Sequence, residues 1–187
     1  MNNLSGKKNL NNYPVKKIIG KKIILRVLEK GDLKRSLAWL KDPSVNMYLS
    51  QNFCDYTEEQ ELKWFKFIQS SRNDIVFAIE DINTNLHIGN CALHKINRGK
   101  GDCELGIVIG EKGYWNKGYG SDTIMNVTKF AMFELDLKSI KLNVYKYNHR
   151  AIKVYKKCGF KLIQTQKKNH LYNGKYWDTL IMELKKT

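Results

Sequence analysis

The stretch Trp115-Asn116-Lys117-Gly118-Tyr119-Gly120-Ser121 decides how this chain is read. Beyond it, Ile124, Val127, Phe130, Ala131 and Phe133 recur at helical spacing, which predicts a helix over Ser121 to Leu135. A glycine turn entering a helix leaves backbone N–H groups aimed at one place, and such a place favours phosphate. Gly118 and Gly120 permit backbone dihedrals closed to other residues and close approach of a ligand, while Lys117 and the helix N-terminus add positive potential.

What precedes the turn separates the known phosphate-binding arrangements. From Ile75 the pattern is β: IVFAIED, a turn at Asn83 to Asn85, LHIGNCALHKI, a break at Arg98 to Gly101, then CELGIVIG. This predicts a three-stranded antiparallel meander. A dinucleotide fold requires a βαβ unit with three glycines and an acidic residue about 20 positions on, and a GxxxxGK[ST] sequence is absent. Both common nucleotide-binding arrangements are therefore disfavoured.

Farther out, Lys22 to Val27 predicts a first strand and Leu33 to Leu40 a helix behind the acidic Asp32. Ser44 to Leu49 reads as a short helical piece, and Thr57 with Gln60 has capping-box spacing ahead of a helix to Ser70. Downstream, SIKLNVY (Ser139 to Tyr145) is a strand. A helix from Asn148 to Lys157 follows, closed by Gly159, and Phe160 to Thr165 with Trp177 to Leu184 form a hairpin around Asn173-Gly174. The reading is a single α/β (α+β) domain over 19–187, with a mixed, mostly antiparallel sheet of six to seven strands and about four helices. Residues 1–18, rich in Asn and Lys, form a flexible basic arm.

Composition bounds the rest. The length of 187 residues and 42% hydrophobic content suit one packed core. No apolar run reaches the roughly 18 to 20 residues that span a bilayer, and the N-terminal segment lacks the apolar centre of a secretory signal, so a cytoplasmic protein without membrane contact is expected. Cys54, Cys91, Cys103 and Cys158 show no paired spacing, and His87, His94, His149 and His170 have no metal-ligand spacing, so reduced thiols and no metal are expected. The net charge of +15 attracts anions, a phosphate-bearing cofactor or nucleic acid among them, and slows the approach of polycations.

The turn resembles the Q/R-x-x-G-x-G/A signature of the GNAT acetyltransferase superfamily, with Trp115 in the usual Gln or Arg position. GYWNKGYG is similar to the GYWGKGYA form of the branch that contains ribosomal-protein-alanine and spermidine acetyltransferases. About 30 residues on, Asn148 to Phe160 resembles the family's N-x-x-A-x-x-x-Y-x-x-x-G-F segment. KIILRVLEKGDL and DPSVNMYL resemble that branch too, so the likeness covers residues 19 to 187.

The resemblance implies acetyl-CoA as co-substrate. Its pantetheine arm would bond the backbone of Ile107, Val108 and Ile109 as an added strand, its pyrophosphate would meet Asn116, Lys117, Gly118, Tyr119, Gly120 and Ser121, and Asn148 would bond the cofactor. It also implies Tyr155 as the acid that protonates the departing thiolate. Glu104, matching the branch's E-x-G strand, is the candidate base if it faces the cleft and a solvated carboxylate if it faces out. The acceptor is a small-molecule or peptide amine, with an amino acid, an amino sugar and the N-terminus of a ribosomal protein all open, and a homodimer is compatible with the family. A non-catalytic RNA- or ribosome-associated module and an acetyl-CoA sensor are the alternatives from other classes.

Overall fold

The computed structural model describes residues 17–186, so the basic arm up to residue 16 lies outside the described residues. The strands are β1 (Ile18–Ile19), β2 (Ile23–Val27), β3 (Ile75–Asp81), β4 (His87–Asn97), β5 (Asp102–Ile109), β6 (Ser139–Tyr145), β7 (Lys161–Tyr172) and β8 (Lys175–Lys185). The helices are α1 (Leu33–Lys41), α2 (Pro43–Asn46), α3 (Glu58–Ser70), α4 (Tyr119–Phe133) and α5 (His149–Lys157). One sheet runs in the order β1-β2-β3-β4-β5-β6-β8-β7, with every pairing antiparallel except β5 with β6. The mixed, mostly antiparallel sheet is the predicted one, but it has eight strands instead of six or seven. The extra strand is Ile18–Ile19, a two-residue pairing against Leu25 and Ile24 too short to leave an alternating pattern.

Local signals set most boundaries. Thr57 and Gln60 exchange the two hydrogen bonds of a capping box at the start of α3. Asn173 and Gly174, both at positive φ, form the two-residue turn of the β7–β8 hairpin, whose strands run farther than the predicted Thr165 and Trp177 because cross-strand pairing extends to Tyr172 opposite Lys175. Asp32 does not cap α1. Its carboxylate faces back, accepting from Arg26 Nη1 and Nη2 at 2.6 and 2.8 Å and from the Glu29 amide at 2.8 Å.

The sheet packs a different core on each face. Leu93, Cys103, Leu105, Ile140 and Leu142 meet Ile124, Val127 and Ala131 of α4, with Tyr155 of α5, on one side. Val76, Ala78 and Ala92 meet Leu33 of α1 and Phe65 and Ile68 of α3 on the other. Because side chains alternate across a strand and paired residues share a face, the pairs Ala92–Gly106 and His94–Glu104 place Glu104, Gly106 and Val108 on the α1–α3 side. Leu105, Ile107 and Ile109 lie on the α4 side by the same rule.

The indole of Trp39 in α1 lies on Gly110, at the end of β5, and its Nε1 donates to Glu111 Oε1 at 3.1 Å. A methyl group at Gly110 would overlap that ring, so Gly110→Ala is expected to cost about 2–3 kcal/mol in urea denaturation; wild-type stability would show that α1 is not seated there. On α3, burial pushes the Glu61 carboxyl up from 4.5 to about 7. The folded chain then keeps a proton that the unfolded chain loses, so stability falls as pH rises from 4.5 to 7 and is level above. Glu61→Gln is expected to remove this slope and to raise stability at pH 8 by up to about 3 kcal/mol; a variant with the slope of wild type would contradict this account.

Candidate active site

β5 and β6 pair only at Asp102–Ser139, Cys103–Ile140 and Glu104–Lys141, then part. The gap opens into a cavity of about 420 Å³ lined by β5 from Glu104 to Ile109, the turn before α4, and the first turns of α5. An unpaired strand edge facing a cleft is a template for an extended ligand bearing amides. Ile107, Val108 and Ile109 all line this cavity. The Ile109 carbonyl already accepts from Trp115 Nε1 at 2.7 Å, so a ligand amide reaching that oxygen would be its second donor.

The turn has the form its glycines predict. Asn116 and Gly118 have φ of 60° and 89°, and Gly118 is the N-cap of α4, which begins two residues earlier than predicted. Asp122 N donates to the Gly118 carbonyl at 3.0 Å, so the N–H groups of Tyr119, Gly120 and Ser121 precede the first internal bond of the helix. Ser121 Oγ is committed to the Gly118 carbonyl at 2.8 Å, and the Tyr119 hydroxyl donates to Asp81 Oδ1 at 3.1 Å. At Tyr119 and Ser121 the groups offered to a ligand are therefore chiefly backbone ones. Gly118, Tyr119, Gly120, Ser121 and Asn116 line the cavity; Lys117 does not, although its side chain is exposed beside it.

On α5, Asn148 caps the helix, its Oδ1 accepting from Ala151 N at 3.1 Å, and it lines the cavity. Tyr155 lies one helical stretch on, 8% exposed, in the α4-side core and in the cavity lining at once. Burial pushes its phenol up to about 12, so it carries its proton throughout the neutral range.

Glu104 lines the cavity from the opposite face, and its carboxylate pairs with Lys95 Nζ at 3.0 Å. His94 stands beside it, Nδ1 at 2.8 Å from Asp74 Oδ1, while Asp74 Oδ2 accepts from Ser71 Oγ at 2.6 Å. Burial works against the charge on Asp74, but the Ser71 and His94 hydrogen bonds outweigh it and hold the carboxyl below its usual range. Among the described residues no group of three His, Cys, Asp or Glu side chains is placed to hold a metal. Burial raises the Cys91 and Cys103 thiols, the latter to about 12, which leaves them protonated.

Sequence reasoning missed three parts of this site. Lys22 immediately precedes β2, its Nζ donating to the Lys117 carbonyl at 3.0 Å and its amide to Asp122 Oδ2 at 2.7 Å, a meeting of residues about 100 apart. Arg150 stacks on Trp115 at 3.9 Å and lies 5.7 Å from the Tyr48 ring, joining α5, the turn and the end of α2 across the mouth. The His94–Asp74 pair had no local signal, since 20 residues separate its members. Trp115 in the unusual signature position was the one visible hint of the Arg150 stack.

Among known proteins, residues 22–161 match the model of an acetyltransferase (GNAT) domain. The chain is 28% identical over 156 residues to the spermidine N(1)-acetyltransferase of Vibrio cholerae, covering 83% of this chain and 88% of that protein. It is 27% identical over 165 residues, 85% of its length, to an uncharacterised protein of Methanocaldococcus jannaschii, of which it spans only 32%. The structure of the Vibrio cholerae spermidine N-acetyltransferase with CoA and spermine superposes with a TM-score of 0.81 at 24% identity, covering 88% of this chain and 95% of that one, a likeness of fold. With a family model spanning most of the parted sheet and its glycine turn, this chain belongs to the GNAT acetyltransferase family.

Proposed function

We propose that the chain transfers the acetyl group of acetyl-CoA to the primary amine of a small molecule. The observation that carries this reading is the position of the cavity. It joins the glycine turn and an open strand edge on one side of the sheet to polar groups on the other. The turn fits a pyrophosphate because two residues at positive φ and three leading helix N–H groups face it, with Lys22 and Lys117 close by. Acetyl-CoA would supply the activated acyl group. Tyr155 holds a proton on the α4 side, where it can reach the departing sulfur, and the amine enters from the α1–α3 side past Glu104.

Glu104 is the carboxylate in the cavity lining, and Arg150 is also there. One carboxylate and one guanidinium in the lining, in a chain of net charge +15, suit an amine with a single positive charge better than a polycation. Spermidine, the substrate named for the Vibrio cholerae relative, is accordingly a comparison compound in the test. Acetyl-CoA is expected to raise the melting temperature, and thiol release should follow with one or more of an amino acid, an amino sugar, an aminoglycoside, an N-terminal peptide and spermidine. No thermal shift would remove the reading; a shift without release for any amine would favour a sensor. Glu104→Gln is expected to raise KM for the amine about five- to tenfold, the yield of one partly exposed charged hydrogen bond, with acetyl-CoA affinity unchanged. An unaltered KM would take Glu104 out of amine binding.

A further inference from the structure

We propose that His94, held by Asp74, takes the proton from the acceptor amine, with Glu104 serving to bind the amine; the inference rests on the acetyl-transfer reading above. His94 lines the cavity from β4, on the same face of the sheet as Glu104. Its ring lies over Gly106, two residues past the last β5–β6 pair: a methyl group at position 106 would be 3.6 Å from Cδ2 and 3.7 Å from Nε2 of His94. The missing side chain at Gly106 thus leaves room next to Nε2 at the point where the strands part.

The other ring nitrogen is fixed. Asp74 Oδ1 lies 2.8 Å from Nδ1, and the same carboxylate accepts from Ser71 Oγ and, at 3.3 Å, from the Lys95 amide. A carboxylate anchored by several donors imposes the tautomer with the proton on Nδ1 and turns the lone pair of Nε2 toward the cavity. The register of β4 against β5 slips between His94 and Asn97, and Lys95 has φ 51°, an irregularity of the kind that re-aims a side chain. Asp74, before β3, holds Nδ1, and the strand partner of His94 on β5 is Glu104, whose carboxylate pairs with Lys95 Nζ and whose own partner on β6 is Lys141.

Glu104 suits the base role less well. Its carboxylate is shared with Lys95 Nζ at 3.0 Å, and its neighbour on β6 is Lys141. Imidazole is also the side-chain class whose ordinary proton affinity lies nearest neutral pH, as a general base requires. In the transfer, the amine nitrogen forms a bond to the acetyl carbon as the carbon–sulfur bond breaks. The bound ammonium reaches that step by giving one proton to His94 Nε2, which releases it to solvent; the proton lost as the new bond forms passes to Nε2 in turn, and the departing thiolate receives one from the Tyr155 hydroxyl, which solvent restores.

The test uses the full chain, acetyl-CoA and whichever amine of the panel the wild type acetylates. His94→Gln is expected to lower kcat about a hundredfold while KM for the amine and the acetyl-CoA thermal shift stay within about twofold. His94→Ala should regain turnover on addition of imidazole, a response that a merely structural histidine would not give. Asp74→Asn, which removes the positioning residue's charge, is expected to lose about tenfold in kcat at unchanged KM. Turnover of His94→Gln within twofold of wild type overturns the inference alone, as does a loss in His94→Ala that imidazole leaves in place, or a loss of the acetyl-CoA shift in both variants. A wild type that binds acetyl-CoA and acetylates none of the amines overturns the acetyl-transfer reading and this inference with it.

Discussion

Tyr155→Phe is expected to lower kcat about a hundredfold or more while leaving the affinity for acetyl-CoA within about twofold. The hydroxyl is the only group removed. The ring packs against Phe160 at 6.0 Å and belongs to the core under α4, so phenylalanine preserves the packing that holds α5 in place. A phenol pushed up to about 12 by burial stays protonated across the assay range, so the loss should be the same at pH 6 and pH 9. That independence separates a proton donor from a group that must ionise. Steady-state kinetics at the two values, with acetyl-CoA affinity measured by calorimetry, decide the matter. Equal kcat in the variant would return Tyr155 to a purely structural place on the apolar face of α5.

The site was legible where its parts are contiguous in the chain. The turn from Asn116 to Ser121 shows its glycines directly, and the helix behind it has a 3.6-residue pattern, so both the element and its ligand class follow from local rules. The three meander strands were equally clear. The face of Glu104 was not, because alternation divides a strand into two sets without saying which set meets which helix. Only the pairing of Gly106 with Ala92, and of Ala92 with the α1–α3 core, settles it. Long-range meetings left even less trace. Lys22 with the turn, Arg150 on Trp115 and Asp74 on His94 each depend on how the sheet is ordered. Histidines without metal spacing read as ordinary surface residues until the fold places one beside the gap.

Gly118→Val is expected to weaken acetyl-CoA binding about a hundredfold, the equivalent of one or two charge-assisted hydrogen bonds to phosphate. Gly118 sits at φ 89° and ψ −2° as the N-cap of α4. A β-branched residue there pays the left-handed penalty of about 1–2 kcal/mol and more for its branching. The chain can relieve that strain by rotating the Lys117–Gly118 peptide, but doing so turns aside the N–H groups that converge ahead of the helix. It would also move the Lys117 carbonyl away from Lys22 Nζ. Gly120 provides the contrast: its φ is not positive, and within the protein an added methyl meets only Ile109 Cγ1, at 3.9 Å. Gly120→Ala should therefore keep the wild-type melting temperature, and any loss of cofactor affinity it causes would report close approach of the ligand. Gly118→Val should lose both stability and affinity. Calorimetric titration of the two variants with acetyl-CoA, alongside their unfolding curves, tests the distinction; a Gly118→Val protein that binds as wild type would mean that the pyrophosphate does not lie on this turn.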